Sequence, residues 1–212
     1  MIRSVVRSDT TALRAILKLH CRVPQIDLDP TYSTGGFYKK GVKQPILKFD
    51  IDPQVKGVTA ANVTDLPLQN ESVEVIVFDP PFLATTGPSL KRPDKSNRIN
   101  KRFGVYPDEP SLFKMYSEAL NELYRVCRPG GTLIFKCQDK VSSGIQYFSH
   151  CYIYNEAIKA GWYPADLLVK IVKIRLVADW QKANQKNARK HHCYFWVFRK
   201  IKKGKMNHGV ST

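Results

Sequence analysis

The sequence has no run of about 18 apolar residues, and its opening stretch MIRSVVRSDTTALRAILKLH lacks the apolar core and small-residue cleavage site of a signal peptide. Neither export nor membrane insertion is expected, and a cytoplasmic location is. Cysteines are few: Cys21, Cys127, Cys137, Cys151 and Cys193, with no CxxC pair. An odd number without paired spacing argues against a disulfide framework or a structural zinc site, so reduced thiols are expected. His150-Cys151 and His191-His192-Cys193 carry metal-ligand chemistry, but neighbours on a strand point to opposite faces, and no metal is expected there. Internal repeats and low-complexity linkers are also missing. Acidic residues are scarce, with 18 Asp+Glu against 34 Lys+Arg for a net charge of +16 and a pI near 9.7. Such an excess attracts a polyanion through an interaction that weakens with salt, the footprint of nucleic-acid binding. A membrane surface is disfavoured, because the lysines lie between core-like strands and not on one amphipathic helix.

What is present is enough for one large domain: 212 residues, 43% apolar and 11% aromatic. Apolar strands, polar or Gly/Pro turns and helix-period stretches alternate, the pattern of an α/β fold with a mainly parallel sheet. Strands are expected at 25–29, 45–51, 73–78, 131–136, 165–174 and 192–198, with a weaker one at 57–60. Asp9 or Ser8 can cap a helix through TALRAILKLH. A second helix is expected from about Ser111 to Cys127, stopped by Pro129-Gly130-Gly131, and a third from about Gln146 to Ala160, ended by Gly161. Tyr194, Phe195, Trp196 and Phe198 read as core and edge of the last hairpin. Between the first two strands only 31–44 intervenes, room for about two helical turns.

The domain is expected to span 1–200, followed by a basic tail over 201–212. Residues 83–110 form a long loop with six Lys/Arg and four prolines, a length that in a compact domain points to function. A second polar segment lies at 178–192. Within the first loop Lys91, Arg92, Arg98, Lys101 and Arg102 are candidate phosphate contacts.

In an open α/β sheet, ligands bind beyond the carboxyl ends of the strands, near the point where strand order reverses. The expected strands end in Asp29, Asp50, Asp79 and Lys136-Cys137-Gln138-Asp139, and Asn62 follows the weak strand. Any of these acids can simply cap a turn. Asp79, however, opens DPPF. The resemblance given below implies an exocyclic amine of adenine as acceptor, and such an amine is a poor nucleophile because its lone pair is delocalised into the ring. If Asp79 and the Pro80 carbonyl each accept one N–H, the nitrogen is drawn toward tetrahedral geometry, and the two prolines stiffen the direction of that carbonyl. Phe82 can stack on a base taken out of its helix. Lys136 and Gln138 can meet a phosphate or base, although a lysine leaving a strand is usually solvated.

Asp79-Pro80-Pro81-Phe82, preceded by NVTDLPLQNESVEVIVF and followed by LNELYRVCRPGGTLIF, resembles the (D/N/S)-P-P-(Y/F/W) motif and its surroundings in S-adenosylmethionine-dependent amino methyltransferases of class I. Small phage and prophage enzymes are the nearest form, and the resemblance spans about Gln25 to Lys200. It implies a single-domain Rossmann-like fold: a mainly parallel seven-stranded sheet with a C-terminal antiparallel strand and helices on both faces. It also implies S-adenosyl-L-methionine as cofactor, DNA as partner with RNA possible, and adenine N6 as the acceptor. Asp29, Pro30, Thr31 and Gly35 align with a D-P-F-x-G-x-G loop at the cofactor, with Thr31 replacing the phenylalanine and Ser33 the first glycine. Asp50 corresponds to the acid that holds ribose hydroxyls, Asn62 to the contact for the cofactor's adenine with Asp65 as competitor, and Asp79 borders cofactor and substrate. An RNA adenine or guanine methyltransferase and a non-catalytic nucleic-acid-binding module remain alternatives.

Overall fold

The computed structural model describes residues 1–38, 41–82, 84, 106–142, 144–172 and 185–202. Lys91, Arg92, Arg98, Lys101 and Arg102, most of the 83–110 loop, residues 178–184 and the tail beyond Lys202 lie outside them.

Ten strands and three α-helices organise the described chain: β1 (Val5–Val6), α1 (Asp9–His20), β2 (Leu28–Asp29), β3 (Leu47–Asp50), β4 (Thr59–Ala60), β5 (Val73–Phe78), α2 (Glu109–Val126), β6 (Cys127–Cys137), β7 (Lys140–Ser142), β8 (Ile145–Tyr147), α3 (Ser149–Lys159), β9 (Trp162–Ile171) and β10 (His192–Lys200). Eight form one sheet in the order β1-β9-β10-β6-β5-β2-β3-β4, while β7 and β8 make a separate hairpin. Adjacent strands are parallel except where β10 runs antiparallel to both β9 and β6. The expected seven strands are all there; the eighth is β1, two residues that add to the β9 edge. So short a segment has no alternation to announce it in the sequence.

Alternation along β5 explains the layering. Ile76 and Phe78 join one core with Leu133 and Phe135 of β6 and the buried faces of α2 and α3. Val75 and Val77 point the other way, into a second core with Ile134, Phe195 and the Leu13, Ile16 and Leu17 face of α1. A strand buried on both faces reads as an unbroken apolar run, as VEVIVF nearly does. Of the last strand's aromatics, Phe195 and Phe198 are fully buried, and β10 lies inside the sheet and not at its edge.

Helix ends follow their caps. Ser8 caps α1, its hydroxyl accepting from the Thr11 amide at 3.1 Å; Asp108 caps α2 through the Ser111 amide at 2.7 Å. Helix α2 thus starts before Ser111, and it ends at Val126 because the chain turns directly into β6. The third helix starts later than its spacing predicts: Gln146 pairs with Val141 in the β7–β8 hairpin, where Gly144 supplies the positive φ of the turn. Between β2 and β3 the described crossover holds only a 3-10 turn, Gly36–Tyr38, short of the two helical turns that its length allows.

Gly131 lies where β6 shifts register against β5. A Cβ there would stand 2.6 Å from Cys127 Sγ and 2.7 Å from the Glu74 carbonyl oxygen, closer than packed atoms tolerate. Gly131→Ala is expected to lower stability by roughly 1–3 kcal/mol, read as a reduced urea midpoint with unchanged slope; an unchanged midpoint would mean the strand gives way freely.

Candidate functional site

The switch point lies between β2 and β5: β3 and β4 extend the sheet on one side, β6 and β10 on the other. Because β2 and β5 are parallel, with Leu28 beside Ile76, their last carboxylates, Asp29 and Asp79, reach the same edge. That edge is where an α/β sheet offers a ligand crevice.

Asp29 is 2% exposed. Its Oδ1 accepts from the Thr31 amide at 2.9 Å and its Oδ2 from the Tyr38 hydroxyl at 2.5 Å. Burial raises its pKa to about 7 even though these hydrogen bonds pull the other way, and the Asp79 charge adds to the rise. Thr31 Oγ1 donates to Asp29 Oδ1 and accepts from the Asp79 amide at 3.1 Å. One hydroxyl thereby ties the ends of two strands together, a task a phenylalanine at that position could not perform.

The loop after β2 is held tightly. The Tyr32 amide donates to the Phe49 carbonyl, and the Ser33 amide donates to Asp50 Oδ2 at 2.8 Å. Ser33 has φ +53° and Gly35 φ +66°. Ser33 therefore adopts the left-handed conformation that a glycine would enter freely, at a strain of about 1–2 kcal/mol. Pro30 is buried behind this turn. At Gly35 a Cβ would clash with the Tyr32 hydroxyl, so the glycine is required by close approach as well as by its torsion.

Asp50 at the end of β3 is half-buried. Its Oδ1 accepts from the Asp52 amide at 3.0 Å, so it caps its own turn while Oδ2 anchors the Ser33 loop. Asn62 and Asp65 are exposed and face each other across an isolated bridge. Asn62 Oδ1 accepts from the Thr64 amide, and its amide NH2 meets no acceptor among the described residues. The structure brings Asp29, Thr31, Ser33, Gly35, Asp50 and Asp79 into one hydrogen-bonded edge with Pro30 buried beside them; Asn62 stands beside it without joining that network.

The Asp79-Pro80-Pro81-Phe82 turn is braced from three sides. Tyr116 of α2 donates its hydroxyl to the Pro81 carbonyl at 2.6 Å. Lys140 Nζ donates to the Phe82 carbonyl at 2.5 Å and pairs with the buried Glu109 at 2.7 Å. Lys136 Nζ donates to Asp79 Oδ2 at 3.2 Å and lies 3.4 Å from Asp9 Oδ1. Burial raises the Asp79 pKa, while Lys136 opposes the rise. Among the described residues, Asp79 Oδ1 and the Pro80 carbonyl accept from no protein donor.

Lys136 departs from expectation. It is not solvated: its side chain is 12% exposed, and its ammonium lies 4.5 Å from the Phe37 ring centroid, 5.6 Å from that of Phe82 and 5.9 Å from that of Phe195. Gln138 also turns inward, donating to the His192 carbonyl. Sequence reasoning passed over Tyr38, Tyr116, Lys140 and Asp9, because nothing local to them marks a long-range contact. The LIFK run carried one usable signal: a lysine ending a strand buried on both faces needs a counter-charge.

His150 and Cys151 lie at the start of α3, not on a strand. His150 Nδ1 pairs with Asp139 Oδ1 at 2.8 Å, and its ring stacks on Tyr194. Among the described residues no group of His, Cys, Asp and Glu is arranged to hold a metal, and no helix is long and apolar enough to cross a membrane.

The raised Asp29 pKa has a signed consequence. The folded protein binds this proton more tightly than the unfolded chain, so the stability it contributes is full below about pH 3.8 and is lost as pH rises through about 7. The stability of the wild type relative to Asp29→Asn should therefore fall between about pH 4 and pH 7 in urea titrations and level off above. A difference that stays constant with pH would contradict a proton held at Asp29.

Comparison with solved structures places this architecture. A candidate RNA methyltransferase from Pyrococcus horikoshii matches at 13% identity over 91% of this chain and 83% of its own, with a TM-score of 0.51. The [4+2]-cyclase SpnF matches at 12% identity over 90% and 80%, with a TM-score of 0.50. A candidate DNA modification methylase from Thermus thermophilus, also solved with S-adenosyl-L-methionine, matches at 13% identity over 72% of this chain with a TM-score of 0.45; this chain spans 55% of its length. No protein-family model and no curated protein matches the sequence. Identities this low speak to fold alone, and the fold is Rossmann-like, that of S-adenosylmethionine-dependent methyltransferases. A cyclase on the same fold is a reminder that chemistry has to be argued from the site.

Proposed function

We propose that the protein is an S-adenosylmethionine-dependent methyltransferase acting on an exocyclic amino group of nucleic acid, adenine N6 in DNA. The observation that carries this reading is the pair of acceptors at the switch point. Asp79 Oδ1 and the Pro80 carbonyl are adjacent in the chain, braced from outside, and without protein donors among the described residues. Two acceptors side by side match the two N–H groups of an exocyclic amine.

The donor chemistry of the neighbouring edge fits the cofactor. Asp50 offers a half-exposed carboxylate for hydroxyls, Asn62 an exposed amide for a purine edge, and Asp29 and Asp79 acidic groups near a cation. When bound, the cofactor's sulfonium supplies an electrophilic methyl group. The protein's part is orientation and electrostatics. Asp79 and Pro80 accept the amine's hydrogens, which draws its lone pair out of conjugation. Phe82 offers a ring on which the extruded base stacks. The net charge of +16 supplies the attraction to the polymer, with Lys91, Arg92, Arg98, Lys101 and Arg102 proposed as phosphate contacts. A structured RNA is the second reading, since an adenine or guanine amine there presents the same two N–H groups to Asp79 and Pro80.

Incubation with methyl-labelled cofactor and either DNA or RNA, followed by digestion to nucleosides, tests the proposal. Label is expected in N6-methyl-2′-deoxyadenosine from DNA, and Asp79→Ala should reduce turnover at least 100-fold while leaving the circular dichroism spectrum and most DNA affinity unchanged. Full turnover by Asp79→Ala would remove the assignment.

A further inference from the structure

Lys136 meets Asp79, a half-buried carboxylate at the end of β5. Phe78 and Phe135 are register neighbours on the parallel pair β5 and β6, so the next residues, Asp79 and Lys136, lie side by side. They face the α1 side of the sheet, opposite to the face of the two phenylalanines. On that side Asp9, in the first turn of α1, receives Lys136 at 3.4 Å and Lys170 of β9 at 2.6 Å. Two carboxylates and two ammonium groups thus alternate across the sheet as Asp79, Lys136, Asp9 and Lys170. The rings of Phe37, Phe82 and Phe195 close around the Lys136 ammonium.

We propose that Lys136 is a positioning residue: by holding Asp79 Oδ2 it keeps the carboxylate ionised and leaves Oδ1 as the acceptor for the incoming amine. This rests on the methyltransferase reading given above. An ionised carboxylate only accepts hydrogen bonds, whereas a protonated one carries an O–H that meets an amine N–H as a competing donor. Without the ammonium, burial would favour the protonated form. Lys136 also fixes orientation, since a carboxylate held at one oxygen cannot rotate its other oxygen away from the substrate. Among the described residues, the remaining groups facing Asp79 are Asp29 on β2, Tyr38 in the 3-10 turn, Tyr116 on α2, Cys137 on β6 and Cys193 on β10, together with Asp9 and Lys170. Of the described cations, Lys136 is the one in direct contact.

The test compares wild type, Lys136→Met, Lys136→Arg and Asp9→Asn by two measurements. The first is carbon-13 NMR titration of the Asp79 carboxyl in the protein alone; the second is the pH dependence of kcat for methyl transfer. Lys136→Met should raise the Asp79 midpoint, lower kcat at least tenfold at pH 7 with KM for the cofactor within threefold, and recover activity as pH rises. Lys136→Arg should restore the wild-type acid limb. Asp9→Asn, which removes a competing anion, should move both the midpoint and the acid limb to lower pH, and it keeps the test decisive if Lys136→Met does not fold. An Asp79 midpoint unchanged in both Lys136→Met and Asp9→Asn, or a kcat loss equal at every pH, would overturn the proposal. If the wild type transfers methyl to neither DNA nor RNA, the functional reading fails, and the carboxyl titration still decides whether Lys136 governs Asp79.

Discussion

Two carboxylates, Asp29 and Asp79, end neighbouring strands on the inside of the protein, and much of the surrounding structure follows from the need to compensate them. Leaving a buried charge without a partner is expensive, commonly about 3–5 kcal/mol when one member of a pair is removed. The two acids are handled differently. Asp29 is kept by a hydroxyl and an amide and holds its proton up to about pH 7. Asp79 meets an ammonium. Burial raises the pKa of both acids, and at Asp79 the Lys136 ammonium opposes the rise.

Compensation also links distant parts of the chain. Asp9 in the first turn of α1 receives lysines from β6 and β9, so the helix that covers one face of the sheet is docked by charge as well as by Leu13, Ile16 and Leu17. On the opposite face Tyr116 of α2 reaches the Pro81 carbonyl. Lys140, just past β6, reaches the Phe82 carbonyl with Glu109 of α2 at its back. The prolines remove two backbone donors from the turn, and side chains from α2 and β7 hold its carbonyls instead. A turn braced in this way can keep its remaining acceptors aimed without substrate present, the condition for electrostatic preorganisation.

Much of this is legible in the sequence. Strand composition and the RPGG and DPPF punctuation located the parallel strands that carry the edge, because apolar runs bounded by Gly and Pro are local signals. The Asp29-to-Gly35 loop was legible too, and the serine in place of its first glycine keeps the left-handed backbone at Ser33. Less visible was whatever depends on distance in the fold. LIFK gave no sign that its lysine would be enclosed by Phe37, Phe82 and Phe195, since those rings come from three other segments. Gln146 fitted a helical period as well as it fits β8, and only pairing with Val141 decides between them. The two-residue β1 depends wholly on β9 for its definition.

The central claim is that the carboxyl edge of β2, β3 and β5 forms a cofactor site around Asp29, Asp50 and Asp79. Isothermal titration calorimetry of the protein with S-adenosylmethionine tests it most directly. The account predicts saturable binding with one molecule per chain. No detectable heat at millimolar ligand, over a range of temperatures, would contradict it.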